Sequence, residues 1–314
     1  MQNSFVVGFD NQDQAYDWFK AIQDAALIAN QLATERRKKE RSARVAKEMS
    51  DLIIYFRSVP FREHYWVFYE MSSFPETKAE KQFLQQNTLL FLAYHRNQIS
   101  RVYPKGQRLD SSNFNPVPFW NVGSQMIALN YQTGDKAMQL NQAKFRDNAQ
   151  CGYLLKPKFM LAEGFDPNNP LTISPLEEKL VSIRIIAARH LFRAGKCTNP
   201  LVVVEIAGAS FDTGIKHRTK VCENGFNPVW NELCEFSVRN PYFALLRFEV
   251  QDEDIFAETH FVAQACYPLN CIRTGYRSVI LRNKFSEELE LASLLVHVEI
   301  KQASATETHA VIGF

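Results

Sequence analysis

The 314 residues are more than one ordinary hydrophobic core organises and suit two or three domains. Lys and Arg number 36 against 34 Asp and Glu, a formal net charge of +2, so no global field argues for nucleic acid and any charged partner must be met locally. A hydrophobic content of 46% with 24 Phe excludes a disordered chain.

The first residues, Met1 to Asp10, lack a basic stretch followed by a long apolar run, and no later segment reaches the roughly 18 apolar residues of a membrane span. Neither a secretory leader nor a transmembrane helix is expected. The cysteines at 151, 197, 222, 234, 266 and 271 are too scattered for a zinc site and read as small hydrophobes in a reducing, cytoplasmic setting.

Phe5 to Phe9 reads as a short strand, and Asn11 or Asp13 can cap a helix carrying Ala15, Trp18, Phe19 and Ile22 at helical spacing. One strand and one helix cannot form a domain, so this opening reads as the end of something larger. Residues 34–47 turn basic (Arg36, Arg37, Lys38, Lys39, Arg41, Arg44, Lys47) with no Gly or Pro, which predicts a solvated helical linker. Acidic lipid heads also attract such runs, but the apolar face here is thin.

Between Asp51 and Pro157 strand and helix patterns alternate. Strands are predicted at Leu52–Arg57, Ser100–Tyr103, Ile127–Gln132 and Cys151–Leu155, with helix over Thr77–Asn97 and Met138–Phe145. Such alternation predicts a parallel sheet, and four units make half of an eight-stranded barrel whose strand ends line the active face. Arg101 and Tyr103 are two apart in a strand that runs into Pro104 and Gly106, so both leave the same side at a strand end. Together they suit an anionic ring-shaped ligand, a guanidinium for phosphate and a phenol for the ring face; a solvated charge beside a core aromatic fits the same pattern.

Phe165 to Pro170 is dense in turn formers, and beyond it the chain reads as all-β. Strands are predicted at Leu180–Ala187, Leu201–Ala207, His217–Cys222, Glu232–Val238, Leu245–Val250, Phe261–Tyr267, Tyr276–Leu281 and Leu294–Ile300, an antiparallel sandwich. After Lys301 no pattern remains.

Four ordered blocks, Met71–Lys78 (MSSFPETK), Arg101–Asn113 (RVYPKGQRLDSSN), Gly123–Thr133 (GSQMIALNYQT) and Cys151–Pro157 (CGYLLKP), resemble the Y-box of phosphoinositide-specific phospholipase C. The sandwich, with Asn224–Trp230 (NGFNPVW) and Gln251–Asp254 (QDED), resembles that family's C2 domain. The opening helix with Trp18 resembles the close of a split PH domain, the arrangement of the gamma type. The resemblance implies the C-terminal half of a TIM-like (β/α) barrel followed by an eight-stranded antiparallel C2 β-sandwich and preceded by the last strand and helix of a PH domain. Its boundaries are 1–33 for the PH piece, 34–50 for the basic linker, 51–165 for the Y-half, 166–178 for a second linker, 179–302 for C2 and 303–314 for a disordered tail.

The implied activity is hydrolysis of phosphatidylinositol 4,5-bisphosphate to diacylglycerol and inositol 1,4,5-trisphosphate in intracellular signalling. In this family the X-half of the barrel supplies the catalytic histidines and most ligands of the active-site Ca2+, and none of its motifs is found here, so none of the seven His is assigned catalysis and the chain alone is expected to be inactive. What carries over is substrate binding. Arg101 grips a ring phosphate, Ser73 donates a hydrogen bond to it and Tyr103 packs against the ring. Some relatives place a membrane-wedging Trp on the next loop, where this chain has Gln107. For a C2 calcium the candidates are Asn199, Glu223, Asp252 and Asp254, with Asn199 standing where calcium-binding relatives have Asp. The implied partners are a phosphoinositide membrane surface, reached peripherally from the cytoplasm, the X-half, and receptor tyrosine kinase complexes met through a regulatory array; nucleic acid is not among them. The competing reading is a non-catalytic membrane- or protein-binding C2 module.

Overall fold

The computed structural model describes residues 7–42, 47–52, 56–63, 67–173, 178–191, 199–223 and 225–303. The chain divides into two compact units, 1–55 and 56–314.

In the first unit α1 (Gln12–Ser42) starts where Asn11 Oδ1 accepts the Gln14 N–H at 2.8 Å, as the cap prediction requires. It runs unbroken into the basic segment, because nothing between Gln12 and Ser42 is Gly or Pro. A short α2 (Lys47–Asp51) follows. Of the strand expected at Phe5–Phe9, Phe5 and Val6 lie outside the described residues, and Val7 to Phe9 form no strand.

The second unit opens with a parallel sheet in the order β1 (Arg57–Ser58), β2 (Glu70–Pro75), β3 (Ile99–Tyr103) and β4 (Met126–Ile127). Four parallel strands match the half-barrel expectation, but their identities need correcting. Of the predicted strand Leu52–Arg57, residues 53–55 lie outside the described residues and only Arg57 is in a strand. β2 was not foreseen, because Ser72 and Ser73 interrupt the apolar run that marks a buried parallel strand. The strand predicted at Ile127–Gln132 ends at Ile127, since the Asn130 N–H donates to the Asn113 side chain at 2.6 Å and not to a neighbouring strand. Cys151–Leu155 forms no strand: Asn148, Ala149 and Gln150 all take positive φ, Gly152 has φ 85°, and the Tyr153 carbonyl accepts from Asn148 Nδ2 at 2.9 Å.

The helix expected over Thr77–Asn97 is two. α3 (Glu76–Ala79) widens into a π-helical turn over Glu80–Gln86, and α4 (Thr88–Asn97) starts afresh after Asn87. The wider turn lets Phe83 and Phe91 meet at 3.9 Å between ring centroids, on a core they share with Phe74, Val102 and Phe119. Fully burying each such side chain contributes roughly 1.5–3 kcal/mol. α5 (Val117–Asn121) and α6 (Lys136–Lys144) complete this half, with α6 capped by Asp135.

All eight predicted sandwich strands are present: β5 (Lys179–Arg189), β6 (Pro200–Ala207), β7 (Lys216–Arg218), β8 (Val229–Val238), β9 (Leu245–Glu253), β10 (Thr259–Pro268), β11 (Gly275–Arg282) and β12 (Glu288–Gln302). Their order is β7-β6-β9-β10-β11-β12-β5-β8, and β10 and β11 share one register pair, Gln264 with Arg282. That narrow seam lets the sheet fold over on itself and enclose a core of Ile183, Val204, Leu246, Leu294 and Val296. Asn227 Oδ1 accepts from the His190 N–H, and Trp230 packs against this core.

The half-barrel and the sandwich share a seam. Val117, Trp120 and Leu140 pack against Ala207, Leu245 and Cys266. Beside them Arg247, 4% exposed, gives Nε and Nη2 to Gln139 Oε1 of α6 at 3.1 and 2.9 Å and Nη1 to Glu205 Oε1 at 2.9 Å. Burial pushes the Glu205 carboxyl up, but Lys136 at 2.7 Å, together with Arg247 and Lys216, offsets this and holds it below the ordinary range.

Candidate functional site

β2 and β3 lie parallel with Ser73 opposite Arg101, Phe74 opposite Val102 and Pro75 opposite Tyr103. Alternation turns Phe74 and Val102, 1% and 0% exposed, into the helix-covered core. Ser73, Arg101 and Tyr103 are therefore turned to the opposite, open face, where Ser73 and Arg101 are both exposed and Tyr103 is half-buried. The Arg101 guanidinium carbon stands 4.9 Å from the Tyr103 ring centroid, a cation–π contact that fixes its direction. Among the described residues Arg101 has no carboxylate partner and no side-chain hydrogen bond. An unneutralised fork over an aromatic ring, with a serine hydroxyl in the next strand at the same level, can hold an oxyanion on a flat ring.

Loops at the strand ends are stitched into a rigid rim. Arg108 Nε bonds both oxygens of Glu76, at 3.0 and 2.8 Å, and its Nη1 reaches Ser112 Oγ at 2.9 Å, which pins the loop after β3 to the start of α3. Asn113 donates to Asp135 and to the Asn130 carbonyl, tying the same loop to the one after β4. Sequence reading missed Glu76, Arg108, Asn130 and Asp135 as parts of this frame. The one signal for it was the density of Asp, Asn and Ser between 110 and 135, which marks side-chain-to-backbone turns.

Behind the sheet, His95 is 1% exposed. Its Nδ1 lies 2.8 Å from the Val122 carbonyl, which can only accept, so Nδ1 carries the proton and Nε2 accepts from Ser100 Oγ at 2.7 Å; Ser100 Oγ in turn meets Ser124 Oγ at 2.6 Å. Lys156 Nζ donates to the His95 carbonyl, and burial lowers that ammonium to about 8. Burial likewise lowers His95 to about 3, against the Val122 hydrogen bond, so it is neutral at physiological pH. The group is packed for structure and faces away from the open side. An unfolded histidine titrates near 6.5, so this contribution to stability is complete above that pH and is lost as pH falls from 6.5 towards 3. Urea unfolding of His95→Gln between pH 6.5 and 5 is therefore expected to lose roughly 1.5–2 kcal/mol less than wild type does over the same interval.

Of the residues expected to hold a C2 calcium, Asn199, Asp252 and Asp254 are each tied down by hydrogen bonds. The Asn199 N–H donates to Asp252 Oδ1 at 2.8 Å and Asn199 Nδ2 to the Glu253 carbonyl at 3.2 Å, which brings Asn199 and Asp252 together as a strand-end clasp. Asp254 caps its own turn, with Oδ1 accepting the Phe256 and Glu258 N–H groups; these bonds, the Glu258 one foremost, hold its carboxyl below the usual range. Ligand atoms of Asp254, Glu258 and His260 lie within 4.8 Å of one another, and Glu223 is exposed after β7. A calcium ion takes six to eight oxygens. Asp252 and Asp254 each give one carboxylate oxygen to backbone N–H groups, which sets the direction of these two candidate ligands.

With this geometry in place the likeness to known proteins has a structural meaning. Residues 49–159 match the phosphatidylinositol-specific phospholipase C Y domain, and residues 179–282 match the C2 domain. A gamma-type 1-phosphatidylinositol 4,5-bisphosphate phosphodiesterase of Caenorhabditis elegans is 40% identical over 311 residues, covering 96% of this chain and 23% of that protein. The gamma-2 enzyme of Rattus norvegicus is 39% identical over 95% of the chain and 24% of its own length, and the delta-4 enzyme of Xenopus laevis 41% identical over 87% and 38%. The crystal structure of S. officinalis PLC21 superposes with a TM-score of 0.72 at 35% identity, covering 86% of this chain and 37% of that one. The chain thus spans about a quarter of the length of the gamma-type relatives it matches. It carries the Y-domain half of a phosphoinositide phospholipase C barrel followed by a C2 domain, and Ser73, Arg101 and Tyr103 lie within that Y domain.

Proposed function

We propose that the open face of β2 and β3 is the headgroup-binding wall of a gamma-type phosphoinositide phospholipase C. The observation that carries this reading is the row of Ser73 and Arg101 at one level of adjacent strands, with the guanidinium unpaired and aimed by Tyr103. Arg101 grips a ring phosphate of phosphatidylinositol 4,5-bisphosphate, Ser73 donates to the same phosphate, and Tyr103 packs against the inositol ring. These groups move no proton. They hold the ring while its own 2-hydroxyl attacks the neighbouring phosphodiester, so their value lies in orientation and in exclusion of unproductive poses.

In this reading the catalytic histidines and the main ligands of an active-site Ca2+ belong to an X-half outside these 314 residues; that ion would supply charge stabilisation when bound. The helical opening is the closing piece of a split PH domain at 1–33, and 34–50 links it to the barrel half at 51–165 and the C2 domain at 179–302. The gamma-type assignment is supported by the length of the match, 95–96% of the chain for the gamma-type relatives against 87% for the delta type. The C2 domain packs the barrel and orients it at a phosphoinositide surface reached from the cytoplasm, and receptor tyrosine kinase complexes act through the enzyme's regulatory array.

Residues 1–314 alone are expected to release no inositol trisphosphate from phosphatidylinositol 4,5-bisphosphate vesicles, and addition of a separately produced X-half is expected to restore release. Calcium-dependent hydrolysis by the chain alone would overturn the division of labour. Vesicle binding that persists while no X-half restores turnover would favour a non-catalytic C2 module.

A further inference from the structure

The lipid read for the headgroup wall carries two monoester phosphates on its ring, and Arg101 is matched to one of them. The chain that leaves β3 supplies a second cation. Lys105 stands two residues past Tyr103 and four past Arg101. The first turn after the strand begins at Lys105, whose carbonyl accepts the Arg108 N–H at 3.1 Å, so Lys105 keeps the strand phase of Arg101 and Tyr103. At about 3.3 Å per residue its Cα lies roughly 13 Å beyond that of Arg101, a separation that a lysine and an arginine span together.

The loop around Lys105 is fixed, and its other charges are taken. Arg108 gives Nε to both oxygens of Glu76, at 3.0 and 2.8 Å, and Nη1 to Ser112 Oγ. The Glu76 side chain is only 6% exposed, so this pair anchors the loop inside the protein. Asp110 Oδ1 accepts the Ser112 N–H and hydroxyl at 3.1 and 2.9 Å. Lys78, on the helix that follows β2, lies over the Phe74 ring at 6.0 Å. Lys105 is half-buried and, among the described residues, makes no side-chain hydrogen bond or ion pair. With Arg101 it is thus a cation at the end of β3 that no carboxylate holds. A half-buried lysine without an acceptor forgoes hydration in the free protein, and an arriving oxyanion supplies the hydrogen bonds it lacks.

We propose that Lys105 binds the second ring phosphate and sets the preference of this site for a bisphosphorylated over an unphosphorylated inositol lipid. The inference rests on the headgroup-wall reading above and names a residue which that reading leaves out. The contact is remote from the phosphodiester that reacts, so it holds ground state and transition state alike and acts on KM rather than on kcat.

Hydrolysis by the X-half-complemented chain in neutral detergent micelles, with phosphatidylinositol 4,5-bisphosphate against phosphatidylinositol, tests it. Lys105→Gln is expected to cut the kcat/KM preference for the bisphosphate about tenfold, through KM, and Lys105→Arg, which keeps the charge, to retain most of it. Inositol 1,4,5-trisphosphate in solution is expected to bind the Lys105→Gln complex about tenfold more weakly than the wild-type complex. An equal loss on both lipids, or no loss on either, would overturn the proposal. So would a loss confined to vesicles containing phosphatidylserine with trisphosphate binding unmoved, which would assign Lys105 to the anionic surface. A preference unmoved by Lys105→Gln, while Arg101→Ala keeps its roughly 100-fold loss, removes Lys105 from the site and leaves the wall, whereas an Arg101→Ala chain with wild-type activity removes both.

Discussion

Arg101→Ala is expected to lower phosphatidylinositol 4,5-bisphosphate hydrolysis by the X-half-complemented chain about 100-fold in kcat/KM, the usual scale for removing one pre-aimed charged donor from a reacting site. The side chain is exposed and makes no hydrogen bond among the described residues, so global stability should stay within about 0.5 kcal/mol of wild type. Arg101→Lys keeps the charge but not the fork and is expected to recover only part of the loss. Ser73→Ala, which removes one neutral donor, should cost about tenfold. An Arg101→Ala chain that is unstable, or that hydrolyses at the wild-type rate, would mean that the open face is not the binding wall.

Unfolding of Arg247→Ala is expected to show the largest single loss of stability, about 3 kcal/mol, which for a protein of this size lowers Tm by roughly 6–12 °C. Removing the guanidinium strands Gln139 Oε1, which takes two of its N–H groups, and leaves a buried Glu205 with only Lys136 and Lys216. The penalty comes mainly from uncompensated buried polar groups, since the pair itself must offset its own desolvation. Glu205→Leu in the same chain should therefore cost less in the presence of Arg247→Ala than in its absence. Additive losses in that double-mutant cycle would show that the two residues act separately across the seam.

The sandwich was legible in the sequence because strands such as β5 and β8 alternate between core and water, which writes period two into the residues, while β6 and β9, buried almost throughout, read as short apolar runs between turns. The barrel half was less so. Its strands are covered or paired through distant segments, and short ones such as Met126–Ile127 exist only because Val102 offers a partner. β2 hid behind Ser72 and Ser73, yet those serines are there for cause: Ser72 Oγ donates to the Val59 carbonyl at 3.0 Å, and Ser73 faces the open side. Arg101 and Tyr103 could be placed on one face from their spacing alone. That Ser73 stands beside Arg101 is a matter of register between strands 28 positions apart, which no local pattern contains, and only the family resemblance supplied it. The Cys151–Leu155 stretch misled in the opposite direction, being apolar enough for a strand but preceded by three left-handed residues that turn it away.

The central claim is that Ser73, Arg101 and Tyr103 touch the inositol headgroup. Titrating inositol 1,4,5-trisphosphate into the X-half complex of the isotope-labelled chain and following the Arg101 Nε–H and the Ser73 amide tests it most directly. Saturating shifts at both, lost in Arg101→Ala, are the expected result. Shifts confined to the basic stretch of α1, with Arg101 and Ser73 unmoved, would contradict it.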